Sequence, residues 1–244
     1  MADDAAALEK KLAEHIKKGA DRLSRELKQV QQNTYTQLEA LSWLQGRLSL
    51  RAQLPPLRGW AASPDVLLRL HSHIMAAKPA VVVEFGSGAS TLVMADALRQ
   101  NGFGQLISID HSGYYGEQTR ATLDAEHLTS WVDLRIGALQ PWEGEHPCPE
   151  DSDKPPYWYP AGLLDGIEGV ALIVVDGPPG ATCPFSRYPA VPALYDRMAP
   201  AVQVWMDDAK RKDEKTICEH WAQHYPLEVT FLPLEKGLGI LKRP

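Results

Sequence analysis

The sequence is poor in cysteine and has no long apolar run. Its three cysteines, Cys148, Cys183 and Cys218, are widely spaced and form no C-x-x-C pair, so neither a disulfide framework nor a zinc cluster is expected. Because no run of about 18 apolar residues occurs, a transmembrane span is not expected either. The first ten residues lack the basic and apolar regions of a signal peptide. These absences favour a cytoplasmic protein.

Positive charge is also scarce. The 244 residues carry a formal net charge of −6, and no basic cluster is large enough to cover a nucleic-acid backbone. The basic trio at 210–212 is flanked by acidic residues and is typical of a solvated helix start. A nucleic-acid substrate is therefore not expected. The 44% hydrophobic and 23% charged residues are those of an ordinary globular chain, long enough for one domain with an extension.

Residues 79–98 contain the most informative motif. Apolar residues 80–83 lead into Glu84, a Gly-Ser-Gly turn at 86–88 and an amphipathic segment. This layout predicts a buried strand, a tight glycine turn and a helix start, which suits an adenosine-containing cofactor. Thr91 stands where a dinucleotide fingerprint has its third glycine, and Glu84 would repel a diphosphate. A glycine-rich turn without a ligand is the alternative.

Four further apolar segments end in polar or turn residues. They predict strands at 105–110, 131–136, 170–175 and 201–208. The residues at their ends are Asp110, then Gly137 and Ala138, then Asp176, and finally Asp207 and Asp208. Ligands bind at the carboxyl ends of strands in an open parallel sheet, so these ends predict a shared site. Asp110 is placed to bind two ribose hydroxyls; the alternative is that it starts a turn or caps a helix.

Over roughly residues 60–244 the chain resembles the class I S-adenosylmethionine-dependent methyltransferases. The resemblance is carried by E-x-G-x-G at 84–88, Asp110 and D-G-P-P-G at 176–180. The resemblance implies an α/β fold with a doubly wound, Rossmann-like, mostly parallel sheet and an N-terminal helical or coiled-coil extension. We expect the extension at 1–52 and the methyltransferase domain at 53–244. The implied cofactor-binding residues are Glu84, Gly86, Ser87, Gly88, Thr91, Asp110, His111, Gly137, Ala138 and Asp176.

The resemblance implies transfer of a methyl group from S-adenosyl-L-methionine to a hydroxyl of a small molecule or glycan. An oxygen acceptor must lose its proton, which calls for a general base or a metal ion. Catechol-type enzymes, which use a divalent metal, have an Asp after the fourth strand and an Asp-Asn pair after the fifth. Asp176, Asp207 and Asp208 occupy these positions and imply a Mg²⁺ site. The alternative is that Asp208 caps a helix and its neighbours are solvated.

Catechol-type enzymes carry their proton-accepting lysine three residues after the fourth-strand Asp, where this chain has Pro179. His111, Lys210 and Arg187 are the nearest substitutes, and Asp176 would lie at the methyl-transfer centre. The predicted catalytic residues are therefore Asp176, His111 and Lys210. Two other functions stay open. One is a non-catalytic, S-adenosylmethionine-binding coiled-coil adaptor, and the other is an aminopropyl transferase similar to polyamine synthases.

Residues 4–50 are rich in Ala, Leu, Lys, Glu and Gln and predict a long helix. Apolar or small residues recur at steps of three and four, with a gap at Gln37, at Ile16, Ala20, Leu23, Leu27, Val30, Thr34 and Leu41. This spacing is typical of a coiled coil, so we expect a homo-oligomer formed through this helix. A helix folded back on its own domain and a partly frayed arm are the alternatives.

Two loops are candidates for contacting the acceptor. Residues 139–166 are rich in proline and would either form an aromatic wall for a ring or pin the loop to the sheet edge. The aromatic residues of this loop are Trp142, Tyr157, Trp158 and Tyr159. Residues 181–189 include Arg187, which could hold an anionic acceptor. Tyr114 or Tyr115 could contact the cofactor.

Overall fold

The computed structural model of this chain describes residues 2–147 and 152–244, and side chains from residue 10 onward. Cys148 and the two acidic residues at 150 and 151 in the predicted proline-rich loop lie outside the described residues. Within the described ranges, the centre of the molecule is a sheet of seven strands. They are β1 (Val81–Phe85), β2 (Gln105–Asp110), β3 (Val132–Ile136), β4 (Val170–Val175), β5 (Met198–Asp207), β6 (Glu228–Leu232) and β7 (Leu238–Lys242).

The strand order is β3-β2-β1-β4-β5-β7-β6. Strands β1 to β5 pair in parallel, and β7 runs antiparallel to both β5 and β6. The chain moves outward from β1 to β3 on one side and from β4 onward on the other. In such a sheet, ligands bind at the point of reversal, beyond the carboxyl ends of β1 and β4. This order confirms the predicted doubly wound, mostly parallel, Rossmann-like sheet.

Helices cover both faces of the sheet. In the described ranges they are α1 (Ala2–Gln45), α2 (Pro64–Ala77), α3 (Ala89–Asn101), α4 (Gly113–Ala125) and α5 (Lys212–His224). Val82 of β1 belongs to the core that contains α2 and α3, whereas its neighbour Val83 belongs to the core that contains α5. Side chains of a strand alternate between faces, so a strand buried on both faces reads as a continuous apolar run. This is why β1 and β4 were recognisable in the sequence.

Helix α1 joins the domain only at its C-terminal end. Leu44 is buried in the core that contains α2 and Ala40 is also buried, whereas every residue from 10 to 32 is exposed. Residues 10–32 of this helix therefore do not pack on their own domain. The domain boundary at residue 52 stays a prediction, because the last turns of α1 pack with the residues beyond it. Among the described residues, no helix has the length and apolarity needed to cross a bilayer.

The coil between α1 and α2 crosses the carboxyl edge of the sheet, and we call its residues 51–63 the strap. The backbone N–H groups of Arg51 and Ala52 donate to the buried carboxylate of Glu126 at 2.7 and 2.8 Å. Near the other end, Lys236 Nζ donates to the carbonyl oxygens of Gly59 and Ala61 at 2.9 and 2.7 Å. Because both ends are held by charged groups, the strap has a defined position over the sheet edge.

Candidate functional site

A cavity of about 780 Å³ opens at the carboxyl ends of β1, β2 and β4. Its walls are the turn between β1 and α3, residues of α4 and the strap. This volume is within the usual range of small-molecule sites. Of the residues predicted for the cofactor, those that line the cavity are Gly86, Ser87, Gly88, Asp110, His111 and Asp176. The fold therefore brings the ends of three neighbouring strands around one volume.

The turn at 86–88 approaches β4 closely. Gly86 has a φ of +97°, and a Cβ at this position would lie 2.9 Å from the carbonyl oxygen of Asp176, so a side chain does not fit here. Gly88 is the N-cap of α3, and Ala89 and Ser90 in the first turn of that helix also line the cavity. The cavity is thus bordered by bare backbone and by the N-terminal end of a helix.

Glu84 and Thr91 do not line the cavity. The buried Glu84 carboxylate accepts hydrogen bonds from the hydroxyls of Ser90, Thr91 and Ser108. The Thr91 hydroxyl also accepts from the backbone N–H of Gly88 at 2.9 Å. Burial raises the pKa of Glu84 from 4.5 to about 7, although the three hydroxyl groups act in the opposite direction. Both residues hold the turn against the start of α3 from outside the cavity.

Asp110 links the end of β2 to the glycine turn. Its Oδ2 accepts from the backbone N–H and the hydroxyl of Ser87 at 2.8 and 2.6 Å, and its Oδ1 accepts from the backbone N–H of Ser112 at 2.8 Å. His111 Nδ1 lies 3.6 Å from Oδ1. A carboxylate has about four acceptor sites, so Asp110 can also accept from hydroxyl groups of a ligand in the cavity.

Asp176, Asp207 and Asp208 form an acidic cluster in which Asp207 and Asp208 are buried and Asp176 is partly exposed. One carboxylate oxygen from each lies within 4.8 Å of the others. Among the residues that the structure describes, neither oxygen of Asp207 has a hydrogen-bond partner. Burial, and then the neighbouring Asp208 carboxylate, raise the pKa of Asp207 to about 6. Burial also raises the pKa of Asp176 well above its ordinary value. The cluster therefore holds negative charge only at considerable cost unless a cation is near.

Arg187 supplies part of that positive charge. Its Nη2 lies 3.2 Å from Asp176 Oδ1 and 3.0 Å from Asp208 Oδ2, and its Nε lies 3.9 Å from Glu214. Burial disfavours the charged guanidinium, but the surrounding carboxylates outweigh burial and raise the pKa of Arg187. Arg187 is therefore not a proton acceptor. Its pairing with these acids also argues against the predicted role of holding an anionic acceptor.

Besides Glu84 and Thr91, three further residues predicted for cofactor binding or catalysis do not reach the cavity, namely Gly137, Ala138 and Lys210. Gly137 donates its N–H to the carbonyl oxygen of Asp110 at 3.0 Å, and a Cβ on it would meet Leu163. Neither Gly137 nor Ala138 lines the cavity. Lys210 is directed elsewhere, because its Nζ donates to the carbonyl oxygen of Glu235 at 2.8 Å. Of the predicted catalytic residues, Asp176 and His111 remain at the cavity.

Several cavity residues were missed or left undecided by the sequence. The strap contributes Pro55, Pro56, Arg58 and Trp60, and no sequence signal placed this coil over the sheet edge. From the aromatic loop, Tyr159 lines the cavity, whereas Trp142, Tyr157 and Trp158 do not. Trp158 and Tyr159 are buried against Phe85, with ring centroids 4.9 and 5.4 Å away. Tyr115 lines the cavity and Tyr114 does not.

Comparison with known proteins gives one family and many similar structures. A family model described as a methyltransferase domain matches residues 83–209, slightly more than half of the chain. An S-adenosylhomocysteine-bound methyltransferase from Podospora anserina has a TM-score of 0.59 and 14% identity, with 85% of this chain and 87% of that chain covered. No curated protein sequence matches the chain.

Two further solved structures have the same overall fold. The O-methyltransferase TomG from Streptomyces achromogenes, in complex with S-adenosylmethionine, has a TM-score of 0.55 and 14% identity, covering 75% of this chain and 82% of that one. A methyltransferase from Geobacter sulfurreducens has a TM-score of 0.53 and 17% identity, covering 73% and 78%. At these identities the similarity concerns the fold.

Proposed function

The chain belongs to the methyltransferase-domain family, and from this premise we propose that it transfers the methyl group of S-adenosylmethionine to a hydroxyl oxygen of a small molecule or glycan. The observation that carries the proposal is the shared cavity. The glycine turn and Asp110 form one wall, and Asp176 faces the same volume from the end of β4. A nucleoside with a reactive group at one end needs such an arrangement.

In this proposal the turn at 86–88 passes beneath the sugar of the cofactor, and Asp110 accepts hydrogen bonds from the ribose hydroxyls. Ser87 holds Asp110 in place through two hydrogen bonds. Glu84 and Thr91 act indirectly by fixing the start of α3. The three fixed groups around Asp110 support this assignment, because a carboxylate with a defined orientation binds a diol with little loss of entropy.

The methyl group of a sulfonium is already activated, so the main tasks of the protein are to align the acceptor and to exclude water. The acceptor hydroxyl must also lose its proton. His111 is our proposed base, because its imidazole lines the cavity. Lys210 is not proposed, since its ammonium group is bonded away from the cavity.

The acidic cluster fits a divalent cation such as Mg²⁺. Three carboxylates are hard oxygen donors of the kind Mg²⁺ prefers, and Asp207 has two oxygens without partners. With all groups ionised, the four carboxylates of Asp176, Asp207, Asp208 and Glu214 exceed the positive groups of Arg187, Arg211 and Lys236 by one charge. We propose that the three aspartates hold the cation, which would lower the pKa of an acceptor hydroxyl.

The test is methyl transfer by the full chain. The protein is incubated with S-adenosylmethionine and a panel of catechols, phenols and glycans, and products are identified by mass spectrometry with and without a chelator. Methylated product that disappears with the chelator and returns with Mg²⁺ would support the proposal. Binding of S-adenosylmethionine without any product would favour the adaptor alternative. Activity that persists after complete chelation would contradict the proposed metal site but not the proposed methyl transfer.

We also propose that α1 pairs with α1 of a second copy. One stripe of the helix carries apolar side chains that are each at least 60% exposed, namely Ile16, Leu23, Leu27 and Val30. In proteins most helical stability comes from packing of an apolar face against another element. The stripe and its exposure support a coiled coil, in agreement with the heptad spacing.

A further inference from the structure

Tyr159 is a buried polar residue at the cavity to which the proposed chemistry gives no role. Its ring is 3% exposed, lies at 30° to the ring of Phe85 at 5.4 Å, and meets Trp158 edge-on at 4.9 Å. Its side chain nevertheless lines the main cavity. The ring is therefore fixed by packing at the border of the cavity, and its hydroxyl is buried there.

The hydroxyl of Tyr159 has no hydrogen-bond partner among the described residues. It lies against the backbone at the ends of β1 and β4, because a Cβ added to Gly177 would be 2.5 Å from Oη and 3.2 Å from Gly86 N. A buried hydroxyl without a partner costs about 1–3 kcal/mol. Native structures rarely keep such a group unless a ligand or water completes it.

The charges around the hydroxyl define what it can bind. Burial, followed by the Asp110 carboxylate, raises the pKa of Tyr159 well above 10, and Asp176 acts in the same direction although Arg187 opposes it. The phenol therefore keeps its proton and acts as a donor. The two nearby carboxylates disfavour an anionic ligand group here. The complementary ligand atom is a neutral oxygen or nitrogen.

We infer that Tyr159 is a cofactor-positioning residue whose hydroxyl donates a hydrogen bond to a neutral atom of the nucleoside half of the cofactor, next to the ribose bound by Asp110. This inference rests on the proposed function. It assigns the aromatic loop two tasks, since Trp158 pins the loop to Phe85 while Tyr159 both packs and binds. The nucleoside half is favoured because the Tyr159 ring lies edge-on to the ring of His111, the neighbour of Asp110, with ring centroids 6.4 Å apart.

The experiment compares the wild type with Tyr159→Phe, which removes only the hydroxyl. Binding is measured by isothermal titration calorimetry with S-adenosylhomocysteine and with 5′-methylthioadenosine, which lacks the amino-acid half. We expect Kd to rise by about 2- to 10-fold for both ligands, the effect of one neutral hydrogen bond. The ligand-free variant should be as stable as the wild type or more stable, because an unpaired polar group is removed.

Tyr188→Phe is the matched control. Tyr188 is equally buried, does not line the cavity, and its hydroxyl is bonded to Glu145. We expect this control to lose stability and to keep its ligand affinity. If the wild type binds neither ligand, the proposed function fails. If the wild type binds and Tyr159→Phe binds equally well, the inference fails. The inference also fails if Tyr159→Phe does not fold. It fails as well if the substitution lowers the affinity for S-adenosylhomocysteine but not for 5′-methylthioadenosine.

Discussion

Replacing Glu84 by glutamine should remove a pH dependence of stability that the wild type carries. In the folded chain, burial raises the pKa of Glu84 from 4.5 to about 7. A carboxyl group with a raised folded pKa contributes its full stability below the unfolded pKa and loses it as the pH rises through the folded pKa. Since one pKa unit corresponds to about 1.36 kcal/mol, the loss between pH 5 and pH 8 is about 2–3 kcal/mol.

The assay is urea unfolding followed by circular dichroism at several pH values between about 5 and 8. Glutamine keeps the shape of the side chain and one acceptor oxygen for the surrounding hydroxyls. The free energy of unfolding of the wild type should fall with rising pH by about 2–3 kcal/mol more than that of Glu84→Gln. Glu117→Gln, on the exposed surface of α4, serves as the control and should follow the wild type. Parallel pH profiles for the wild type and Glu84→Gln would refute the reasoning.

Three further predictions concern the site and the helix. Asp110→Asn should weaken S-adenosylhomocysteine binding by about 10- to 100-fold in calorimetry, because hydrogen bonds to a charged group are lost. The control Asp133→Asn should bind as the wild type does. Equal affinities of the wild type and Asp110→Asn would contradict the ribose assignment. Asp207→Asn should abolish Mg²⁺ binding measured by titration of the protein alone, and retained binding would exclude Asp207 as a ligand. Leu27→Asp should halve the solution mass measured by light scattering and leave cofactor affinity unchanged, whereas a wild type that is already monomeric would remove the coiled-coil proposal.

The strands that could be predicted are those whose burial is visible in composition. β1 and β4 are buried on both faces, so Val81–Val83 and Val170–Val175 form apolar runs that end at turn residues. β6 and β7 were not predicted, because β6 is a largely exposed edge strand and β7 contains Gly239, so neither forms a long apolar run. Helix α2 was missed for a related reason: its apolar residues serve a tertiary core that the local sequence does not reveal.

The site could be predicted only where a residue follows directly from a strand end. Gly86, Asp110 and Asp176 were placed in this way, because the carboxyl ends of parallel strands meet at one edge. Lys210 lies close in sequence to the end of β5, but its direction depends on a hydrogen bond to Glu235, which is distant in sequence. The strap residues and the orientation of Tyr159 likewise depend on long-range packing, which no local motif encodes.

The measurement that tests the central claim most directly is titration of the full chain with S-adenosylmethionine. The cavity, its glycine turn and Asp110 predict saturable binding of one molecule per chain, with S-adenosylhomocysteine competing for the same site. The absence of saturable binding to a folded protein would contradict the account, because the roles proposed for Asp110, His111 and Tyr159 all require the cofactor in this cavity.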